Sequence, residues 1–544
     1  MSRTKRTVVA GALGNCVHVA GVLNFLRLAR SVGYETIFLG PATSVAEFAN
    51  AIEKYRPELV AISYRLTPEV AKTLIGKLQR LLSERNLLGQ RFVFGGTPPV
   101  ARVAKESGLF ERVFTGEDGP EEVLAFLRGE DRERGQESWG DTLLERVANR
   151  QPYPLLRHHY GQPQVATTVA GARQIAEAQV LDILSLGPDQ NAQESFFRPE
   201  EMKPEQSGAG GVALRSPEDL KAIYEATRTG NYPLLRIYSG TRDLIRWAEL
   251  AVETINNAWG AIPLCWYNTL DGRSDRSPQQ SIAENQQAMA WYAERGIPVE
   301  CNEAHHWSMR DAHDTIAVVA AYLGAYNCKA VGVRTYIAQY MFNSPATTSP
   351  AMDLAKMLAK IELIESLHDD DFTSLRQTRS GLLSFAADMD IAKGQLAAST
   401  VIQLAIEPVI IHVVGYSEGD HAATADEVIE SCRIVHGVIR NCRMDMPQMT
   451  ADPTVQGRKE ELINDANLLL EAIRSLGKGQ SDPLTDPEVI AQAVKIGLLD
   501  APHLQGNPYA AGKLVTASVD GAIRALDPES GEVLTEQERI DQLL

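Results

Sequence analysis

Cysteine is scarce in this chain of 544 residues: six are scattered along it (Cys16, Cys265, Cys301, Cys328, Cys432 and Cys442), with no C-x-x-C pair and no C-x-x-x-C-x-x-C triplet. That spacing argues against a disulfide framework, a structural zinc site and an iron–sulfur cluster of the radical-SAM kind. Long apolar runs are missing too, and no segment approaches the roughly 20 residues needed to span a bilayer. Basic residues are outnumbered, 53 against 70 acidic, for a formal charge of -17. Such a surface repels nucleic acid and anionic lipid, so neither is expected as a partner. No repeat at fixed period and no low-complexity tract occurs. The opening MSRTKRTVVAGAL enters a strand pattern without a signal-peptide cleavage pattern, and a cytoplasmic location is expected.

What remains is a globular composition, 44% hydrophobic and 23% charged. Residues 5 to 128 alternate apolar runs (TVVAGAL, ETIFLG, LVAISY, RFVFGG, RVFTG) with amphipathic stretches, and Ser44, Pro68, Pro98 and Pro120 suit helix starts. This predicts a flavodoxin-like, Rossmann-type parallel sheet with helices on both faces, over residues 1–130. Residues 131–155 are charged, then polar and proline-bearing, and read as a linker. The alternation resumes with longer units: strand candidates VLDILSLG, LLRIYSG, AIPLCWYN, IPVECNE, CKAVGVRTY and VIIHVVGYSE stand between helical stretches. A (β/α)8 TIM-type barrel over 156–480 is expected, followed by a C-terminal extension, 481–544, with no assigned role.

The chemistry concentrates at strand ends, where such folds bind ligands. After the first strand comes GNCVHVAG, with Cys16, His18 and Gly21. A neutral imidazole from His18 can ligate a metal at the sheet edge, and Gly21 lets a large planar ligand approach; the loop alone favours a polar loop histidine with no ligand. Ser63 and Thr67 after the third strand, with Gly95, Gly96 and Thr97 after the fourth, put hydroxyls and bare backbone along the same edge. In the barrel, the expected mouth carries Tyr238, Arg242, Tyr267, Asn268, Arg273, Glu303, His305, His306, Arg334, Tyr336 and Gln339. Arg334 is the favoured partner for a carboxylate or phosphate. Glu303 with His305 and His306 can bind an amine, move a proton, ligate a metal or simply pack. His412, Glu418 and His421 form a second such group. The stretches 188–201 and 205–212 fit a loop over the mouth or an ordinary surface connection.

Residues 5–128 resemble the cobalamin-binding domain of methylmalonyl-CoA mutase, glutamate mutase and methionine synthase. That family's D-x-H-x-x-G reads here Cys16-Val17-His18-Val19-Ala20-Gly21, its S-x-L reads Ser63-Tyr64-Arg65, and its GG reads Gly95-Gly96. The resemblance implies His18 as the lower cobalt ligand, with a cofactor tail entering past Ser63, Thr67, Gly95 and Gly96. Cys16 stands where the family has an aspartate that orients the imidazole. A thiol is a poor acceptor, so a weaker cobalt–imidazole bond, or a partner from elsewhere, is implied. Residues of about 232–345 resemble the large chain of glutamate mutase, through Gly240-Thr241 with Asp243, Tyr267-Asn268 and Asn302. The implied function is an adenosylcobalamin-dependent mutase acting on a small polar carboxylate or amino acid, with Tyr267, Asn268, Glu303, His305 and Arg334 facing the substrate. A corrinoid-dependent methyltransferase, or a cobalamin sensor or carrier without activity, are the alternatives. The expected partners are that small-molecule substrate and further copies of the chain in a homo-oligomer, a homodimer for instance.

Overall fold

The computed structural model describes residues 6–116, 118, 120–129, 139–343, 348–381, 385–442 and 446–544. The chain forms two compact units, Met1–Arg134 and Gly135–Leu544. In the first, five parallel strands, β1 (Thr7–Ala12), β2 (Glu35–Phe38), β3 (Leu59–Ser63), β4 (Arg91–Gly95) and β5 (Arg112–Phe114), lie in the order β2-β1-β3-β4-β5. The period of two splits their side chains between two cores. Val60, Ile62, Phe92 and Phe94 pack with residues of the helices Val45–Tyr55, Pro68–Glu84 and Pro98–Glu106. Leu59, Ala61 and Val93 pack under the helix Ala20–Ser31. Ser44 starts its helix through a capping box with Glu47, and Pro68 and Pro98 open theirs, as the sequence predicts. The strand order reverses between β1 and β3, and a doubly wound sheet opens a crevice at that point.

The second unit is a barrel of eight parallel strands: β6 (Leu155–Tyr160), β7 (Ile183–Leu186), β8 (Leu234–Ile237), β9 (Gly260–Ile262), β10 (Val299–Cys301), β11 (Thr335–Phe342), β12 (Thr373–Ser380) and β13 (Ile410–Val413). They are hydrogen-bonded in the order β8-β7-β6-β13-β12-β11-β10-β9. The ends β8 and β9 meet through Ala258 N–H to the Leu235 carbonyl (2.8 Å) and Ser239 N–H to the Ala261 carbonyl (3.3 Å), which nearly closes the ring. Of the expected linker, residues 131–138 lie outside the described residues. The helix Leu143–Arg150 that follows belongs to this unit, with the Arg146 guanidinium donating to the carbonyls of Asn231 (3.1 Å) and Tyr232 (2.6 Å).

Residues beyond the last barrel helix, Ala425–Cys442, are a cover. The helix Pro453–Leu476 lies along the barrel helices Asp314–Ala330 and Pro350–Glu365, and Pro487–Ile496 lies along Pro278–Ala293. A hairpin, β14 (Val515–Val519) with β15 (Ala522–Leu526), and the helix Glu536–Leu543 complete it. Polar pins hold the cover. Asp314 accepts from Lys356 (3.0 Å), Arg458 (3.4 Å) and the Ile523 amide (3.2 Å), and Glu536 meets His313 Nε2 at 2.8 Å. This is why DTIAVVAAYLGAYNCKA is apolar around nearly its whole circumference: the barrel takes one side and the cover the other.

Candidate functional site

Two cavities stand at the carboxyl ends of strands, one in each unit. The first, of about 400 Å³, is lined by His18, Gly21, Ser63, Gly95, Gly96 and Thr97 among others. After β1 the chain is tied by the Leu13 amide to the Ser63 carbonyl (2.9 Å) and by the Ala42 amide to the Cys16 carbonyl (2.9 Å), so the loop is anchored to two neighbouring strand ends. Cys16 is buried beneath the loop and His18 is exposed at its surface. The Cys16 Sγ lies 3.9 Å from His18 Nδ1, a weak contact that leaves Nε2 without a hydrogen-bond partner among the described residues. A Cβ added at Gly21 or Gly95 meets nothing within 4 Å, so these glycines leave open space, whereas at Gly96 it would lie 2.6 Å from the Tyr64 carbonyl oxygen. Ser63 Oγ is buried without a partner among the described residues. Thr67 caps the helix Pro68–Glu84 and does not line the cavity; Thr97 does.

The barrel cavity, of about 580 Å³, is built by inward positions two residues apart. At the base, Leu155, Ile183, Leu234, Ile337 and Ile410 form an apolar floor. One step up, Arg157, Arg236 and Glu300 form a buried network: Arg157 Nη1 lies 3.2 Å from both Glu300 oxygens and donates to Gln377 (2.8 Å), and Arg236 Nη2 donates to Glu300 at 2.9 Å. Trp259 Nε1 and, through Arg157, Ser185 complete it. Burial alone would raise the Glu300 carboxyl; the two guanidinium charges outweigh it and hold it at about 2. At the next step, His159, Tyr238, Arg379 and His412 reach the cavity. Tyr238 O–H donates to His159 Nε2 at 2.9 Å with the rings stacked, and Arg157 donates to the same nitrogen at 3.2 Å. An imidazole nitrogen that takes two donors carries no proton, so the ring proton sits on Nδ1.

The wall opposite comes from loops. Tyr267 lies after β9 at φ 68°, with the Arg273 guanidinium 4.5 Å above its ring, and the helix Glu303–Ser308 brings His305 and His306 to the cavity. Burial, aided by nearby arginines, pushes His159, His305, His306 and His412 well below the usual imidazole range. They are neutral acceptors and donors, and His305 Nδ1, His306 Nε2 and His412 Nδ1 have no partner among the described residues. Residues from both ambiguous stretches, Gln190, Gln193, Gln206 and Gly210 among them, line the cavity.

Of the five barrel residues expected to face a substrate, Tyr267 and His305 line this cavity and three do not. Glu303 accepts from the amides of Leu264 (2.8 Å) and Cys265 (2.9 Å) and from Trp307 Nε1 (2.7 Å), so its carboxylate fixes the loop after β9. Asn268 is fully buried, bonding the Cys265 carbonyl, Ser281 and the Leu270 amide. Arg334 is at the wrong end of the barrel. The helix runs on to Ala330, so β11 begins at Thr335 and Arg334 precedes it, 78% exposed, with Asp371 at 3.9 Å. His421 is likewise on the surface, between Asp420 and Glu427. Sequence reasoning missed His158, His159 and Arg379 because β6 and β12 carry no apolar run. LLRHHY and TSLRQTRS carry polar or charged residues at most positions, so neither an apolar run nor an alternation marks them as strands. Among the described residues no three His, Cys, Asp or Glu side chains gather as a metal site.

The fold and first cavity define a cofactor-binding α/β domain joined to a parallel barrel. Residues 6–124 match the B12 binding domain family. Among curated relatives, glutamate mutase sigma subunit 2 of Haloarcula marismortui is 27% identical over 139 residues, 24% of this chain and 92% of its own length. Sigma subunit 1 of the same organism is 29% identical over 128 residues, 23% and 84%. A cobalamin-binding protein from Desulfitobacterium hafniense shows 21% identity over 24% of this chain and 59% of its own, with a TM-score of 0.20. The cobalamin-dependent S-adenosylmethionine radical enzyme OxsB with aqua-cobalamin bound shows 11% identity over 90% and 70%, with a TM-score of 0.19. The N-terminal unit is therefore a B12-binding domain homologous to glutamate mutase sigma subunits, and the family match ends before the barrel begins. The residues present suit that cofactor: open space at Gly21 and Gly95, the unpartnered Ser63 hydroxyl and a free ring nitrogen on His18 share one cavity.

Proposed function

We propose that the chain is an adenosylcobalamin-dependent isomerase, in which the N-terminal unit holds the cofactor and the barrel binds a small polar carboxylate or amino acid. The observation that carries this reading is the first cavity, where His18, the unpartnered Ser63 hydroxyl and two glycines facing open space stand together at the sheet's switch point. When bound, the cofactor supplies a cobalt–carbon bond whose homolysis starts radical chemistry. His18 Nε2 would hold the cobalt, and Ser63, Gly95, Gly96 and Thr97 would line the space for the rest of the cofactor. Cys16 Sγ lies 3.9 Å from the other ring nitrogen, and a thiol is a poor hydrogen-bond acceptor, so it orients the ring less firmly than a carboxylate would. In the barrel, Tyr267, His159, His305 and Tyr238 surround the substrate. Their enclosure excludes water, which protects reactive species from side reactions.

The test is a visible-absorption titration of the purified full chain with adenosylcobalamin and hydroxocobalamin. The expected spectrum is that of cofactor whose own base is displaced by histidine, and His18→Ala weakens binding about 10-fold or more, since even outer partners of a ligand are worth that much. Unchanged affinity and spectrum in His18→Ala remove the ligand assignment. Methylcobalamin accumulating during turnover would point to methyl transfer, and tight binding with no turnover of any acid offered to a sensor; either overturns the isomerase reading.

A further inference from the structure

In the barrel cavity, one guanidinium is left over. Arg379, at the uppermost inward position of β12, is 6% exposed and lines the cavity. Among the described residues its one hydrogen bond is Nε to the Ser380 carbonyl (3.2 Å), and no carboxylate stands within ion-pair distance. Other arginines near the cavity are engaged. Arg157 and Arg236 share Glu300, and Arg273 lies over the Tyr267 ring with Asp271 at 3.6 Å. A desolvated guanidinium without a counter-charge is costly, and its planar fork is matched by one carboxylate. The charge is felt around the whole cavity: after burial, Arg379 is among the groups that push down His159, His305, His306 and His412.

One acid on the same wall is also left over. Glu418, on the turn Tyr416–Gly419 after β13, lines the cavity; its amide donates to the Gly415 carbonyl (3.1 Å), while its carboxylate makes no ion pair or hydrogen bond among the described residues. Burial pushes its carboxyl up, and the strongest opposing influence is the Arg379 charge. The two opposite charges feel each other across the cavity without bridging. A ligand carrying both signs satisfies each at once, while one carrying two carboxylates leaves the second without a cation.

We infer that the barrel cavity binds an amino acid with a single carboxylate, its carboxylate on the Arg379 fork and its ammonium at Glu418. The inference rests on the reading of this cavity as the substrate site and adds what the substrate carries. The experiment is isothermal titration of the full chain, free of cobalamin, with the common monocarboxylic L-amino acids, with L-glutamate, and with the desamino and decarboxylated analogues of the best binder. A monocarboxylic amino acid is expected to bind best. Arg379→Met should weaken it about 30-fold or more, the usual effect of truncating one partner of a buried charge pair. Glu418→Gln should weaken the amino acid but not its desamino analogue. Should Arg379→Met fail to fold, Arg379→Lys keeps the charge without the fork and should bind between the two. Binding by no monocarboxylic amino acid, equal binding by the Arg379 variants, or a preference for L-glutamate overturns the inference. A parallel cobalamin titration of each sample reads the cofactor site separately, so either result can fail alone.

Discussion

The two cavities are built in opposite ways. The N-terminal one offers bare backbone, hydroxyls and one exposed imidazole, and its glycines matter for what they leave out. The barrel cavity is crowded with buried guanidinium, carboxylate and imidazole groups standing on a charged network. The first is defined by shape and open backbone, the second by a fixed electrostatic field. The sequence consequences differ as well: glycines and small residues can be read from a motif, whereas a field is a property of groups far apart in the chain.

The comparison breaks most sharply at Glu300. Glu300→Gln leaves Arg157 and Arg236 buried without their counter-charge, and should destabilise the barrel by about 3–5 kcal/mol while the N-terminal unit keeps its stability; denaturant unfolding followed by circular dichroism, with cobalamin binding as the probe of the first unit, checks this. Acid separates the units next. The buried histidines titrate below their unfolded value of 6.5, His158 near 4. Between those values the unfolded chain binds more protons, so barrel stability is fully present above about pH 6.5 and falls as pH drops toward 4. A rise in barrel stability over that interval on acidification would contradict their burial as neutral rings. A glycine pair sharpens the N-terminal side: Gly96→Ala meets the Tyr64 carbonyl and should cost about 1–3 kcal/mol, whereas Gly95→Ala meets nothing and should leave the melting point alone while weakening cobalamin. The smallest effect is at Cys16, where Cys16→Asp gives His18 Nδ1 a true acceptor and should tighten cobalamin about 10-fold in the same absorption titration.

How much could be read from the chain follows the same division. The first unit's central strands are apolar on both faces, so β3 and β4 appear as the runs LVAIS and RFVFG, and the glycines and His18 of the motif line the cavity. The barrel's strands bury charge inside. In β6 and β12 the inward positions are Leu155, Arg157 and His159, and Leu375, Gln377 and Arg379, which hides both strands from a search for apolar runs. Arg334 misled because CKAVGVRTY straddles the end of a buried helix and the start of β11, and both are apolar there. Glu303 and Asn268 are at the expected ends of strands, yet their polar atoms are consumed by backbone amides and carbonyls, which spacing in sequence does not reveal.

The helix Asp314–Ala330 has a consequence for the gene. Because residues 453–544 clothe the flank of that helix turned away from the strands, a message coding for the barrel but ending after Cys442 would yield a polypeptide with an oily rod laid open to water, prone to clump before it could be assayed. A break at the junction between barrel and tail exposes that flank.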